Sequence, residues 1–537
     1  MFLTLIRRGC VLAVACFAGA TTGWSSVVAS NDPLHPGTNE PVRLSARATG
    51  DIKKISLHYE RYTLSKDASG RQTQHLAERE ITVQTCEAAN GVSLLECEYE
   101  VTGGFPASSL VKYKAVAHFK DGSQSLDTYS FAAGAFPWPD RPIPIRVTGD
   151  IRSRLDIIFI PTKDLTLGQF KNGLSSVIYQ LYFANPWYGN NRVMFNFWYS
   201  GEFGDYQQLC KFLDPGNIAS LSAIGDAIAF LHKKNMRDCR SGKRFSSEID
   251  YGRTLLHESG HALFGLMDEY CCDSRYEQQP EFPNLWSSLA ACEADAPNVL
   301  YPKRLCTQLA NKEGRTIDFW RIDPVTPAPG SIMGPAQHDD PSSTHLNANA
   351  RRILWTFDKC LSGDCMGNGF SIRSSQRLDQ LVEQLGARIK DATKSVGPIL
   401  VADADLIMAI QVRIVGDTAK VERTEIVRAP LPKSAGKAEL LVKAMSATDS
   451  TLHQYVIDDP RLAEVEGQGY IRLPDVKVWV FAPASTSLKS LDLMPVDDKR
   501  LFKGEALKAL RVDLQPGISK LCEGTASIAA CFQAERR

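Results

Sequence analysis

The chain has no net charge, because its 61 lysines and arginines are matched by 61 aspartates and glutamates over 537 residues. A protein without an excess of either sign has no global field to attract nucleic acid or an anionic membrane. The sequence also lacks a basic tract with interleaved aromatic residues. These absences argue against nucleic-acid binding.

Long apolar runs are also missing, since no stretch after the N-terminal segment reaches the roughly 18 residues of a membrane-spanning helix. The N-terminal segment itself has two arginines (residues 7–8), an apolar run (residues 11–20) and small residues (28–30) ahead of Asn31. This order predicts a secretory signal peptide over residues 1–30. We therefore expect an exported protein, either secreted or held in the periplasm or at the cell surface. A lipid-anchored start at Cys16 is the alternative.

Paired CxxC spacings of the kind that hold zinc are absent, although the chain has 14 cysteines. The twelve cysteines outside the signal segment form an even number in an exported chain, which predicts disulfide bonds. Proximity along the sequence favours three local pairs: Cys86 with Cys97, Cys360 with Cys365, and Cys522 with Cys531. The other six allow about fifteen connectivities; they are Cys210, Cys239, Cys271, Cys272, Cys292 and Cys306.

The stretch YGRTLLHESGHALFGLMDEY, residues 251–270, contains the only two histidines placed to share a metal ion. His257 and His261 are four residues apart, so on an α-helix their rings lie one above the other on the same face. Two imidazole nitrogens can then converge on one zinc ion, with Glu258 facing the remaining metal position. An ordinary buried helix that carries two histidines is the alternative.

A third ligand is expected just beyond this helix. Gly265 suits a sharp helix end, and three residues later Asp268 offers a carboxylate that can return to the same ion. Zinc accepts such a His-His-Asp set. The neighbouring Glu269 and the downstream His338 and His345 are the alternative third ligands.

The run HESGHALFGLMDEY resembles the IgA-peptidase family of zinc metallopeptidases, a metzincin-like group. The segments DIIFIPTKDLTLGQF (residues 156–170) and NRVMFNFW (residues 191–198) are also similar to that family, and the resemblance covers about residues 150–360. It implies a methionine turn beneath the metal, which is identified at residues 331–334 with Met333. Phe264 stands where the family commonly has a small residue.

Patterning divides the exported chain into three parts, so the expected fold is a multidomain α+β protein. Alternating apolar and polar residues over 31–145 predict an antiparallel β-sandwich of immunoglobulin-like type. Residues 146–365 are expected to form the catalytic domain, for which the resemblance implies a metzincin-like α/β fold; helical spacing at residues 218–231 predicts a second helix there. Residues 366–537 predict a helix followed by a β-rich C-terminal domain.

The predicted function is that of a secreted zinc metalloendopeptidase, a hydrolase whose partner is a protein or peptide substrate. Zn²⁺ would activate a water molecule, and Glu258 would act as the general base. A zinc amidase that acts on cell-wall peptides is one alternative, because the motif determines the chemistry of the water and not the substrate. An adhesin whose β-domains carry the function is another, although a structural metal site has no need for Glu258.

Overall fold

The structure is a computed structural model that describes residues 26–66, 72–89, 91–208, 210–234, 236–269, 282–310, 316–322, 331–334, 344–363, 365, 376–394, 406–431, 440–465, 469–496, 501–502, 505–506 and 508–534. Over these ranges the chain forms several β-sheets, and its strands outnumber its helices. This agrees with the predicted β-rich, multidomain α+β protein. A search of the described helices finds none that is long and apolar enough to cross a membrane.

The N-terminal region is a two-layer antiparallel sandwich. Its strands are β1 (Ser26–Asp32), β2 (Val42–Thr49), β3 (Ile52–Lys66), β4 (Gln72–Glu87), β5 (Leu94–Val101), β6 (Ser109–Phe119) and β7 (Gln124–Ala133). One sheet has the order β1-β2-β5 and the other β4-β3-β6-β7. Along β2 every second residue is buried, because successive side chains of a strand point to opposite faces and one face meets the core.

Strand β1 overlaps the end of the segment that the sequence assigns to the signal peptide, residues 1–30. Val27 and Ala29 are fully buried in the sandwich core. The amide of Ala29 donates to Asp127 Oδ2 at 2.8 Å, and the same carboxylate binds the buried guanidinium groups of Arg146 and Arg192. Cleavage before Asn31 would remove five of the seven residues of β1. Residues 26–30 of the predicted signal segment thus pair with β2 in this sheet.

The central region combines strands and helices. Its strands are β8 (Ile143–Arg146), β9 (Leu155–Pro161), β10 (Phe195–Tyr199), β11 (Asp205–Gln207), β12 (Lys211–Leu213), β13 (Ala227–His232), β14 (Cys239–Ser241), β15 (Arg244–Glu248), β16 (Cys306–Ala310) and β17 (Thr316–Ile322). Its helices are α1 (Leu167–Ser176), which continues as a π-helical turn over Val177–Tyr182, then α2 (Pro186–Gly189), α3 (Ile218–Ile224), α4 (Gly252–Phe264), α5 (Leu289–Asp295) and α6 (Asn347–Leu361).

The second helix predicted at residues 218–231 is only partly correct. Helix α3 ends at Ile224, and the chain continues as strand β13 over Ala227–His232. All six residues of β13 are buried. A strand that is buried on both faces is apolar at most positions, so its sequence satisfies a helical spacing as easily as a strand spacing.

The C-terminal region contributes to the central fold as well as forming sheets of its own. Its elements are α7 (Leu378–Lys394), β18 (Leu406–Val415), β19 (Thr418–Arg428), β20 (Leu440–Ser446), β21 (Thr451–Ile457), β22 (Leu462–Val465), β23 (Gly469–Arg472), β24 (Asp475–Pro483), β25 (Leu488–Pro495), β26 (Leu501–Phe502), β27 (Glu505–Ala506), β28 (Leu510–Asp513), α8 (Gln515–Leu521) and α9 (Ile528–Ala534). Sheets of order β19-β18-β24 and β21-β20-β25-β28 pack around one core.

An eight-stranded sheet of order β23-β22-β14-β15-β13-β9-β10-β8 runs through the centre of the molecule. Strands β10, β9, β13 and β15 are parallel neighbours, and β9, α1 and β10 form a β-α-β unit at the start of this region. Strand β22 pairs with β14, and α7 packs into the central core through Leu378, Leu381 and Leu385. Residues beyond the predicted boundary at 365 thus contribute both strands and core side chains to the central region.

Five disulfide pairs lie among the described cysteines. The three predicted local pairs, Cys86 with Cys97, Cys360 with Cys365 and Cys522 with Cys531, are confirmed. Two further pairs join Cys210 to Cys239 and Cys292 to Cys306. Cys271 and Cys272 lie outside the described residues.

Candidate metal centre

Helix α4 carries the HExxH motif and is buried around most of its circumference. Arg253 alone among its thirteen residues is not fully buried, because the helix packs against β15 on one side and the π-helical turn on the other. The helix ends at Gly265, which adopts a left-handed conformation with φ of 61°. Glycine takes this conformation without the steric penalty that a Cβ atom brings. The turn directs the following residues back toward the motif.

Three side chains meet beside this turn. His257 Nε2 lies 3.0 Å from His261 Nε2, and Asp268 Oδ1 lies 3.3 Å and 3.5 Å from these two nitrogens. Zinc–ligand bonds of about 2.0–2.1 Å at tetrahedral angles place ligand atoms about 3.3–3.4 Å apart. The three atoms therefore have the spacing of three corners of a zinc tetrahedron.

The outer nitrogens of both histidines are already bonded to backbone carbonyls. His257 Nδ1 donates to Ile332 O at 2.8 Å, and His261 Nδ1 donates to Leu266 O at 2.6 Å. A carbonyl oxygen only accepts, so each neutral imidazole carries its proton on Nδ1 and presents a lone pair at Nε2. Two such lone pairs 3.0 Å apart repel each other unless a shared proton or a metal ion lies against them. Such outer bonds are the usual support of metal-binding histidines.

The electrostatics of the cluster favour positive charge. Burial lowers the pKa of His257, but the hydrogen bond and charge of Asp268 raise it to about 10, with Glu258 adding to the effect. Burial alone would raise the pKa of Asp268, yet its two histidine contacts hold it well below its usual range. Within the described structure no donor other than the histidines approaches either oxygen of Asp268. A buried carboxylate of this kind requires a cation.

Glu258 lies in the same electrostatic neighbourhood. Its side chain is only 2% exposed, and its negative charge helps to raise the pKa of both His257 and Tyr206. The residue that follows the first histidine is thus a buried carboxylate whose charge acts on the cluster.

The methionine turn lies directly against α4. Met333 is fully buried, and a Cβ atom added to Gly260 would come within 3.0 Å of its Sδ. The turn is fixed from two sides, because Glu269 N donates to Met333 O at 2.7 Å and Ile332 N donates to Thr344 O at 2.8 Å. Gly260, between the two histidines, lets the sulfur approach the helix backbone.

The alternative third ligands have other partners or are not described. Glu269 Oε1 accepts from Asn284 Nδ2 at 3.2 Å, and burial raises the pKa of its carboxyl. His345 Nε2 lies 3.1 Å from the hydroxyl of Tyr188. His338 is outside the described residues. Among those that are described, His257, His261 and Asp268 form the single group of three or more metal-binding side chains close enough to share an ion.

Phe264, which differs from the small residue common in the resembled family, closes the end of the helix. Its ring lies 5.8 Å from that of Tyr188 and 6.0 Å from that of Phe357. Its carbonyl accepts from Arg352 Nε at 3.0 Å. The larger side chain is therefore accommodated in an aromatic core rather than at the metal cluster.

A second polar cluster lies at the carboxyl end of the central strands and was not expected from the sequence. His232 Nε2 lies 2.9 Å from Asp238 Oδ1, which also accepts from Ser246 Oγ at 2.6 Å. Burial, together with the hydrogen bond and charge of Asp238, raises the pKa of Glu248 to about 8. We call these four residues the His232 cluster. They come from β13, β15 and the loop before β14 with no motif spacing, so no sequence signal identifies them.

Comparisons with known proteins add no relative of known function. No protein-family model and no curated protein matches the chain. Solved structures give partial matches: the sporulation control protein Spo0M of Bacillus subtilis (13% identity, TM-score 0.16, 22% of this chain and 51% of that one), a superoxide reductase (neelaredoxin) of Ignicoccus hospitalis (6%, 0.14, 20% and 80%) and a beta-glucosidase of Listeria innocua (14%, 0.11, 21% and 16%). The matched stretch thus spans about half of Spo0M. At these TM-scores the matches carry no argument about fold or function.

Proposed function

We propose that the chain is a zinc-dependent hydrolase of peptide bonds, a metalloendopeptidase. The observation that carries the proposal is the convergence of His257 Nε2, His261 Nε2 and Asp268 Oδ1 at mutual distances of 3.0–3.5 Å, with both outer histidine nitrogens bonded to carbonyls. Two neutral imidazoles and one carboxylate suit a catalytic zinc site, because three protein ligands leave a fourth position for water or substrate.

The residues of the site have separate roles in the proposed hydrolysis. His257, His261 and Asp268 would hold a zinc ion, which would supply the Lewis acidity that polarises a scissile carbonyl and acidifies water. Glu258 accepts the proton that the attacking water releases and donates it to the leaving nitrogen, since amine departure needs protonation. The carbonyls of Ile332 and Leu266 fix the two imidazole rings, and Met333 supports the helix turn that carries them.

The resemblance to the IgA-peptidase family supports a proteolytic reaction rather than another zinc-dependent hydrolysis. It supports a metzincin-like assignment for the central region, in which a helix packs on the parallel part of a mixed sheet and lies against a methionine turn. The five disulfide pairs favour an oxidising compartment, because such bonds are rare in the cytosol. We therefore place the proposed activity outside the cytoplasm.

The test compares metal content and activity in the wild-type chain and in Glu258→Gln. The wild type should contain one zinc ion per chain and cleave an unfolded protein substrate, with a loss of activity in a chelator. Glu258→Gln should retain the zinc while activity falls by several powers of ten, because the ligands remain and the proton carrier is lost.

Glu248→Gln is the matched control, since it makes the same substitution at another carboxyl near Tyr206 and should leave activity close to that of the wild type. Full activity of Glu258→Gln would overturn the mechanism. Cleavage of cell-wall peptides with no activity on unfolded proteins would replace the endopeptidase proposal by the amidase.

A further inference from the structure

Two side chains from outside helix α4, those of Met333 and His345, lie against its backbone at Gly260. A Cβ atom at Gly260 would meet Met333 Sδ at 3.0 Å and His345 Cε1 at 3.3 Å. Gly260 lies between His257 and His261, so both contacts act on the helical turn that presents the two imidazoles. Met333 has a role in the methionine turn, whereas nothing described so far explains the buried ring of His345.

His345 is held by the short helix α2. Its ring is 1% exposed, and its Nε2 lies 3.1 Å from the hydroxyl of Tyr188. Its carbonyl accepts from Trp187 Nε1 at 2.8 Å. The preceding Thr344 is held in the same way, because its Oγ1 accepts from Asn185 Nδ2 at 2.7 Å. Side chains from three of the residues at 185–188 therefore fix both positions.

The same segment is connected to the metal cluster through the methionine turn. Thr344 O accepts from Ile332 N at 2.8 Å, and Ile332 O in turn accepts from His257 Nδ1 at 2.8 Å. Tyr188 also reaches α4 directly, because its ring lies 5.8 Å from that of Phe264 at the end of this helix. Contacts that begin at α2 thus reach the proposed ligand His257 by two routes, one through Ile332 and the other through the helix itself.

We infer that His345 and Tyr188 form a positioning pair for the metal centre, which holds the turn of α4 and the ring of His257 in the geometry that binds zinc. The inference rests on the proposed metal site and deepens it, because it assigns a role to residues that touch neither metal nor substrate. Partners that orient a metal-binding histidine typically change metal affinity by about 10–100-fold when they are altered.

The first experiment removes one hydroxyl group. Tyr188→Phe deletes the partner of His345 and keeps the ring in the aromatic core. Tyr113→Phe is the matched control, because it deletes a buried hydroxyl that donates to Ser45 O at 2.8 Å in the N-terminal sandwich. We expect zinc to leave Tyr188→Phe about 10-fold faster than the wild type when a chromophoric chelator is added. Tyr113→Phe should release zinc at the wild-type rate.

The second experiment tests the imidazole. His345→Leu removes the polar group that meets Tyr188, and we expect faster zinc release and a changed visible spectrum of the cobalt-substituted protein. His345→Gln places an amide close to the position of Nε2 and should restore the release rate toward that of the wild type. A residue that acts only by filling space would not show this rescue.

The outcomes separate this inference from the proposed function. If the wild type binds no zinc, the proposed function fails and the positioning role fails with it. If the wild type binds zinc, but Tyr188→Phe and Tyr113→Phe release it at the same rate, the positioning role is overturned while the metal site stands. Tyr188→Phe decides the question alone if His345→Leu does not fold.

Discussion

The metal cluster of His257, His261 and Asp268 and the His232 cluster use the same residue types in opposite ways. Asp238 Oδ1 is met at 2.9 Å by His232 Nε2 and at 2.6 Å by Ser246 Oγ, so donors saturate it. In the metal cluster, both histidines donate their Nδ1 protons to backbone carbonyls. Their Nε2 atoms face the carboxylate of Asp268. Closeness of histidine and carboxylate is common to both. The two clusters differ in that only the first has two imidazoles, each anchored through Nδ1, converging on one carboxylate, which is the arrangement proposed to hold a metal.

The largest expected difference comes from removing one carboxylate from each cluster. Asp268→Ala deletes one of the three proposed protein ligands. Altering a residue that only orients a ligand weakens metal binding by about 10–100-fold, so zinc affinity should fall by more than that in Asp268→Ala. Asp238→Ala should keep stoichiometric zinc, but its unfolding free energy should fall by about 1–3 kcal/mol for each buried donor left without a partner. Metal analysis and urea denaturation of the chelated proteins measure the two effects.

Glu269→Gln is the control for Asp268→Ala, because Glu269 is adjacent in sequence but bonded to Asn284. Its zinc content should match the wild type. Loss of zinc from Glu269→Gln with retention in Asp268→Ala would reverse the ligand assignment, and loss of zinc from Asp238→Ala would remove the distinction between the two clusters.

The contrast also explains which parts of the molecule could be predicted from the sequence. The metal cluster is local, since residues 257–268 lie on one helix and its glycine turn, and helical spacing with one left-handed residue determines their geometry. The His232 cluster depends on how β13 and β15 pair in the sheet, which no short-range pattern encodes. Helix α3 and strand β13 were merged in the prediction for a similar reason, because a fully buried strand has no alternation.

Pairing between distant strands also limits what the sequence can predict about domain organisation. Alternation within each strand predicts the N-terminal sandwich, whose strands pair mainly with neighbours in the sequence. Strand β22 instead pairs with β14 across more than 200 residues, and Arg240 of β14 forms a buried ion pair with Asp458. Such long-range pairing cannot be inferred from periodicity, which is why the sequence placed residues 366–537 in a separate domain.

A second prediction concerns the stability that zinc adds. A ligand that binds only the folded state at about 100 times its dissociation constant stabilises a protein by about 2.7 kcal/mol. We expect zinc to raise the unfolding midpoint of the wild type and of His232→Gln by similar amounts. The same addition should have no effect on His257→Gln, which lacks a ligand. Thermal unfolding with and without zinc gives the comparison, and a zinc response in His257→Gln would contradict it.

The smallest predicted effect is a change in the pH dependence of stability, caused by the proton on the Glu248 carboxyl in the His232 cluster. Because the pKa of Glu248 is raised from 4.5 to about 8, the folded protein holds a proton in this range that the unfolded chain has released. The stability from this carboxyl is present in full below pH 4.5 and is lost as the pH rises toward 8. One fully held proton changes the unfolding free energy by at most about 1.4 kcal/mol per pH unit, and partial exposure of the side chain makes the effect smaller.

Glu248→Gln keeps a neutral hydrogen-bonding group and cannot titrate, so its unfolding free energy should fall less between about pH 5.5 and 7.5 than that of the wild type. Urea denaturation of both chelated proteins at several pH values measures the two slopes; equal slopes would show that the cluster is not held together by a shared proton.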